Sequence, residues 1–182
     1  MKILALIGSP RKGGNTDTLV GHILSGWTSR GHTYEKLYLY DHEISPCTDC
    51  RECKRGDSVC TLNDGMQEIY PKVEAADVII FGTPIYWYGP TGKMKLLIDR
   101  LRPFIATGRL KGKRALIVAP SEEGPKACGP LIEMLRRSFD YLGMKLAGMV
   151  LAKAYEKAEV AEDREELKRA YDLGTSLGLS IG

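Results

Sequence analysis

What leaves this chain the fewest folds is an alternation: short apolar runs separated by longer amphipathic stretches along its whole length. Residues 3–7 are Ile, Leu and Ala only, and after a polar, glycine-rich turn Leu19, Ile23 and Trp27 recur at every fourth position. That recurrence is one face of a helix, so the opening unit reads strand, loop, helix. Further strands are expected at 35–39, 78–82, 115–119 and 145–150, and helices at 66–74, 91–104, 130–141 and 162–177. Most of the runs have no polar alternate position, which points to central parallel strands covered on both faces. Five such units form an open, doubly wound α/β sheet. Its ligands sit at the carboxyl ends of the strands, beside the point where the strand order reverses.

With 182 residues, 43% of them hydrophobic, the chain can fill one core and is short for two, so residues 1–182 are expected to form a single domain. One segment breaks the rhythm. Residues 41–64 have little periodicity, which is long for an unstructured connection without a function, and they hold four of the five Cys. They read as a Cys-rich insertion. Lys and Arg number 26 against 23 Asp and Glu, a net +3, too small a balance to make nucleic acid or an anionic membrane the main partner. No stretch approaches the ~20 apolar residues of a membrane span, and the N-terminus lacks the charged region and cleavage site of a signal peptide. A cytoplasmic location is expected, where clustered thiols serve metal or redox chemistry more often than disulfides.

The loop after the first run is Gly8, Ser9, Pro10, Arg11, Lys12, Gly13, Gly14, Asn15, Thr16. Its glycines let backbone N–H groups turn inward, the following helix adds partial positive charge, and Ser9, Asn15 and Thr16 add short polar side chains. The nest suits a monophosphate ester. It has neither the Gly-Lys-Ser/Thr ending of a Walker loop nor the glycine spacing of a dinucleotide fingerprint, which disfavours ATP and a simple NAD site.

These residues resemble the phosphate loop of the NAD(P)H-dependent FMN reductase family. The resemblance implies a flavodoxin-like fold, a doubly wound five-stranded parallel sheet in a three-layer α/β/α sandwich. It also implies FMN as cofactor, its phosphate held by Ser9, Arg11, Asn15 and Thr16 with Pro10 shaping the turn. A second loop follows the run at 78–82: Pro84, Ile85, Tyr86, Trp87, Tyr88, Gly89. Three adjacent aromatics at a strand end, with backbone groups beside them, suit a flat isoalloxazine ring. The family has a Pro-x-Tyr loop there and then a Lys-rich helix ending in Asp-Arg, as Lys93, Lys95, Asp99 and Arg100 do here. The same aromatics suit a subunit interface, and the resemblance implies a homodimer or higher homo-oligomer with the flavin at the junction. Residues 119–124, with Ser121 and Glu122, are the candidate third loop.

Cys47, Cys50, Cys53 and Cys60 are separated by two, two and six residues. Four thiolates suit an iron–sulfur cluster or zinc, and the third Cys departs from the paired spacing of a zinc ribbon. Free redox thiols are the remaining alternative. The pattern resembles the iron–sulfur flavoprotein branch of the same family, which implies a [4Fe-4S] cluster on these four Cys. Cys128 reads as a small buried thiol. The activity expected is a flavin-dependent oxidoreductase exchanging electrons among FMN, a cluster and a nicotinamide, ferredoxin-like or small acceptor. The alternatives are an NAD(P)H-dependent FMN or quinone reductase without a cluster, and a non-catalytic redox carrier or sensor.

Overall fold

In a computed structural model, residues 1–55 and 60–179 are described. Five strands, β1 (Lys2–Ile7), β2 (Thr33–Tyr38), β3 (Val78–Gly82), β4 (Arg114–Ser121) and β5 (Lys145–Lys153), form one sheet in the order β2-β1-β3-β4-β5. All neighbours are parallel. The helices are α1 (Asn15–Thr28), α2 (Met66–Ala75), α3 (Gly92–Asp99), α4 (Pro103–Thr107), α5 (Gly129–Leu142) and α6 (Arg164–Leu177). The chain leaves β1 towards one edge to make β2, then returns past β1 to make β3. The switch point therefore lies between β1 and β3, and the loops leaving those strands form its walls.

Period-two alternation assigns the strand residues to opposite faces. Leu4, Leu6, Ile79, Phe81, Ala115 and Ile117 pack with residues of α2, α3 and α5, among them Ile69, Leu97, Leu135 and Phe139. Ile3, Ala5, Ile7, Val78, Ile80, Leu116 and Val118 pack with Leu19, Ile23 and Trp27 of α1 and with Ala170 and Leu177 of α6. The result is a flavodoxin-like three-layer α/β/α sandwich. On the second face α1 and α6 cross through glycines: a Cβ on Gly26 would lie 2.1 Å from the Tyr171 carbonyl oxygen, and one on Gly174 would lie 2.0 Å from that of Ile23. Backbone meets backbone there.

Several boundaries differ from the sequence expectation. The helix expected at 91–104 is two helices, because Pro103 has no N–H to donate to the Asp99 carbonyl, and the chain turns at Arg100 before α4 begins. Strand β2 starts two residues early, and Leu39 opens a short 3₁₀ turn instead of ending the strand. Strand β5 runs three residues past Val150, to Lys153. The last helix starts at Arg164, where the Asp163 carboxylate accepts from the Glu166 N–H at 3.1 Å. Among the described residues, no helix is long and apolar enough to cross a membrane.

Candidate functional site

Where β1 and β3 end, their exit loops are tied together. The Gly8 N–H donates to the Gly82 carbonyl at 2.7 Å, and the Thr91 hydroxyl donates to the Gly8 carbonyl at 2.5 Å. A Cβ on Gly8 would lie 2.8 Å from the Met94 Cβ, so only glycine lets the first loop pass this close to α3. The loop then turns back through Ser9, whose Oγ accepts from the Arg11 N–H at 3.2 Å. Gly13 sits at φ +68° and donates its N–H to Asp17 Oδ2 at 2.8 Å. Asp17 is buried and also accepts from Lys36 Nζ and the Tyr38 hydroxyl, each at 2.8 Å. Burial pushes this carboxyl up, but the hydrogen bonds from Lys36, Gly13 and Tyr38 outweigh it and hold it below the ordinary carboxylate range. The phosphate-type loop is thereby braced from beneath, while the first N–H groups of α1 have no intrahelical partner and remain available to an anion.

Thr83 anchors the second loop: its N–H donates to the Val118 carbonyl at 2.9 Å and its Oγ1 accepts from the Thr91 N–H at 3.0 Å. Beyond it, Tyr86 and Gly89 exchange N–H···O=C bonds of 2.9 and 3.0 Å around Trp87 (φ +49°) and Tyr88 (φ +61°). Two successive left-handed residues make a type I′-like turn, a conformation that favours Asn and Gly and costs bulky side chains energy. Trp87 is 97% exposed at its tip.

A cleft of ≈ 190 Å³ opens between the loops. Ser9, Arg11, Asn15 and Thr16 line it on one side, Pro84, Ile85 and Tyr86 on another, and Ser121 and Glu122 on a third. Of the residues singled out from sequence, Pro10, Trp87, Tyr88 and Gly89 do not line it. Pro120, within the expected third loop, does, and so do Ala154, Tyr155 and Lys157, which the sequence does not single out. Residues 154–157 leave the carboxyl end of β5, so the strand-end rule applied to them too; ending β5 at 150 put its exit too early.

Ser45 and Asp64, near the two ends of the Cys-rich insertion, are held against the far end of α3. Arg100, 1% exposed, donates to both carboxylate oxygens of Asp64 at 2.6 and 3.0 Å and to the Ser45 carbonyl at 2.8 Å. Asp64 also accepts from the Ser45 and Met66 N–H groups. Both ends of the Cys-rich insertion are thus clamped by one ion pair. Burial pushes Asp64 up, and Arg100 with the two N–H donors more than reverses this. Within the loop Cys53 lies within electrostatic reach of Cys47, Cys50 and Cys60, and those three sulfurs also have neighbours of their own. Arg102 Nη1 lies 3.9 Å from Cys47 Sγ, Cys50 Sγ lies 3.8 Å from Thr61 Oγ1, and Cys60 adjoins the Tyr70 hydroxyl. Cys53 is buried, which pushes its thiol up, whereas hydrogen bonds, first from the Glu52 N–H, pull the exposed Cys50 thiol down. Among the described residues, no three His, Cys, Asp or Glu side chains form a group able to hold a metal. The eight residues of α3, about 12 Å of helix, separate the cleft from Arg100. Cys128 is buried beneath β4, its thiol 3.8 Å from the Ala119 carbonyl.

A doubly wound parallel sheet with an anion nest after β1 and an aromatic-bearing loop after β3, both opening on one cleft, defines a flavodoxin-like protein. The family model described as NADPH-dependent FMN reductase matches residues 1–157, and the chain belongs to that family. It is accordingly a flavin-dependent oxidoreductase. YwqN of Bacillus subtilis, provisionally named an NAD(P)H-dependent FMN-containing oxidoreductase, is 31% identical over 178 residues, 93% of this chain and 94% of that one. The iron-sulfur flavoprotein MJ1083 of Methanocaldococcus jannaschii is 37% identical over 126 residues, 68% of this chain and 65% of that one. Among solved structures, the Trp repressor binding protein from Bacillus subtilis superposes with a TM-score of 0.70 at 26% identity, over 95% of this chain and 98% of that one. An NAD(P)H:quinone oxidoreductase from Methanothermobacter marburgensis shares the fold, with a TM-score of 0.75 at 19% identity over 97% and 96% of the two chains.

Proposed function

We propose that the protein binds FMN in the cleft between the β1 and β3 exit loops and uses it to carry electrons from NAD(P)H to an acceptor. The observation that carries this reading is that Ser9, Arg11 and Thr16 line the same cavity as Pro84, Ile85, Tyr86 and Ser121. An anion nest and a wall for a flat ring are thereby joined at one switch point. When bound, FMN supplies hydride acceptance and single-electron release, chemistry that no side chain has. The protein supplies position. The N–H groups opening α1, Asn15 and Thr16 among them, together with Ser9 and Arg11, would hold the phosphate, with Pro10 fixing the bend between Ser9 and Arg11. Pro84, Ile85 and Tyr86 would cover one side of the ring and keep water from it, and the Ile85 N–H is fixed on the Pro120 carbonyl at 3.3 Å. Trp87, Tyr88 and Gly89 frame that wall as its turn, and the exposure of Trp87 and Tyr88 supports a homo-oligomer contact there. No acid, base or nucleophile from the chain is required.

A [4Fe-4S] cluster on Cys47, Cys50, Cys53 and Cys60, with a ferredoxin-like partner, is the finer form of the proposal. The Cys spacing supports it, as do relatives named iron-sulfur flavoproteins. The second reading, an NAD(P)H-dependent FMN or quinone reductase without a cluster, fits thiols that have hydrogen-bond partners of their own at Cys47 and Cys50, while the electrostatic reach of Cys47, Cys50 and Cys60 to Cys53 fits the first. A cytoplasmic location, where clustered thiols stay reduced, fits either reading. Anaerobic purification followed by flavin, iron, zinc and acid-labile sulfide analysis separates the two. FMN with matched iron and sulfide supports the first and FMN alone the second. Failure to retain flavin after reconstitution, or retention unchanged by Ser9→Ala/Thr16→Ala, refutes the site.

A further inference from the structure

The connection leaving β5 is built into the cleft, and Asn15 builds it. The Asn15 Nδ2 donates to the Glu156 carbonyl at 2.8 Å, and its Oδ1 accepts from the Val160 N–H at 3.1 Å. Both ends of the carboxamide are thus occupied by backbone some 140 residues away in sequence. Two further ties hold the segment. The Ala154 N–H donates to the Ser121 carbonyl at 2.9 Å, and Glu159 Oε2 accepts from the N–H groups of Tyr155 and Glu156 at 2.7 and 2.8 Å. Within it, Ala158 is held at φ +64°, a left-handed position that alanine adopts only where its surroundings fix it. This segment brings Tyr155, 64% exposed, and Lys157 to the cavity that Ser9, Arg11 and Thr16 line.

Charge indicates what the segment is for. A phosphate monoester carries about −1.5 to −2 at neutral pH, and the α1 terminus offers roughly half a positive charge. Arg11 adds one. Among the described residues, neither Arg11 nor Lys157 is engaged in an ion pair, and both line the cleft.

We propose that residues 154–160 are a fourth binding wall of the flavin cleft, that Lys157 supplies the second cation to the phosphate, and that the Asn15 side chain latches this wall instead of contacting the phosphate. The Asn15 backbone N–H remains for the anion. The proposal rests on the FMN reading above, but its latch can be tested without flavin.

Four proteins are compared: wild type, Asn15→Ala, Lys157→Gln and the double variant. In the apo-proteins, amide hydrogen exchange across 154–160 should speed up in Asn15→Ala and not in Lys157→Gln; unchanged exchange in Asn15→Ala overturns the latch. Dissociation constants for FMN and for riboflavin, which lacks the phosphate, are then measured by flavin fluorescence. Lys157→Gln should weaken FMN roughly tenfold, the size of a lost charged hydrogen bond, and leave riboflavin unchanged. Equal losses for both flavins overturn the role given to Lys157. The double variant should bind FMN within about twofold of Asn15→Ala, since the two residues act through one element. Additive losses overturn the latch and make Asn15 an independent phosphate ligand. A wild type that does not prefer FMN over riboflavin overturns the FMN reading and the role of Lys157 with it, while the exchange result still decides the latch.

Discussion

Replacing Gly174 with Ala sets two physical effects against each other, and the structure decides the sign. In a helix interior Ala is favoured over Gly by about 1 kcal/mol, so local propensity predicts a gain. Against it, the new Cβ would lie 2.0 Å from the Ile23 carbonyl oxygen and 3.0 Å from the Trp27 nitrogen, both backbone atoms of α1. An ordinary carbon–oxygen contact is ~3.3 Å or more, so α1 and α6 would have to separate by roughly 1.3 Å. A gap of that order forfeits at least about half the dispersion energy of each facing contact, on a face that buries Ile23, Trp27, Ala170 and Leu177. Overpacking of this kind costs about 1–3 kcal/mol, and more where backbone must yield. With the cost at the upper end of that range because both facing atoms are backbone, the net expectation is a loss of about 2 kcal/mol, or a Tm lower by on the order of 4–8 °C in a chain of this size. Urea denaturation of the apo-protein with an unchanged m value measures it. Gly21→Ala is the control: it lies in the same α1 with nothing within 4 Å of its Cβ position and should stabilise by up to ~1 kcal/mol. A Gly174→Ala protein as stable as wild type would refute the close helix crossing.

Three more perturbations follow from the same coordinates. Asp17 and Asp64 both have folded pKa values below the ordinary carboxylate, so their stabilisation is complete above about pH 4 and is lost as pH falls through the folded values; Asp17→Asn and Asp64→Asn should each flatten the acid limb of a stability–pH curve, and a limb unchanged in both would contradict the assignment. Arg100→Met strands the Asp64 carboxylate, and breaking a buried pair costs about 3–5 kcal/mol, whereas Asp64→Asn combined with Arg100→Met should recover part of that loss in a denaturation series. Tyr88→Gly relieves a left-handed residue and should raise stability by about 0.5–1 kcal/mol net of glycine's entropy; a lower Tm would mean that the Tyr88 ring contributes packing beyond its turn.

Residues 3–7 and 78–82 were legible because a central parallel strand has no polar position to blur its ends, and both fall within one residue of the observed strands. Strand β2 lies at the edge, and its partly exposed residues Tyr34 to Tyr38 carry no such signature, so its start was misplaced. The anion nest was readable as a local motif; Asp17 beneath it was not, because its role depends on Lys36 and Tyr38 from a different strand. Pro103 marks the break after α3, since it has no N–H for the Asp99 carbonyl, and a single helix over 91–104 left it out of account. Ile85 and Tyr86 reach the cleft while Trp87 and Tyr88 do not, a division set by the turn rather than by composition. The wall at 154–160 was missed because it is tied down by long-range hydrogen bonds from Asn15.

The chain has two tryptophans, and they occupy opposite extremes. Trp27 is fully buried, its indole N–H donating to the Thr33 carbonyl at 2.8 Å, whereas Trp87 is 97% exposed at the tip of its turn. The unlabelled protein therefore carries two optical reporters that a water-soluble quencher can tell apart. In the single chain iodide should silence the red-shifted emission of Trp87 and leave the blue-shifted emission of Trp27, so melting of the α1 layer and covering of the turn by a second copy can be followed separately in one cuvette.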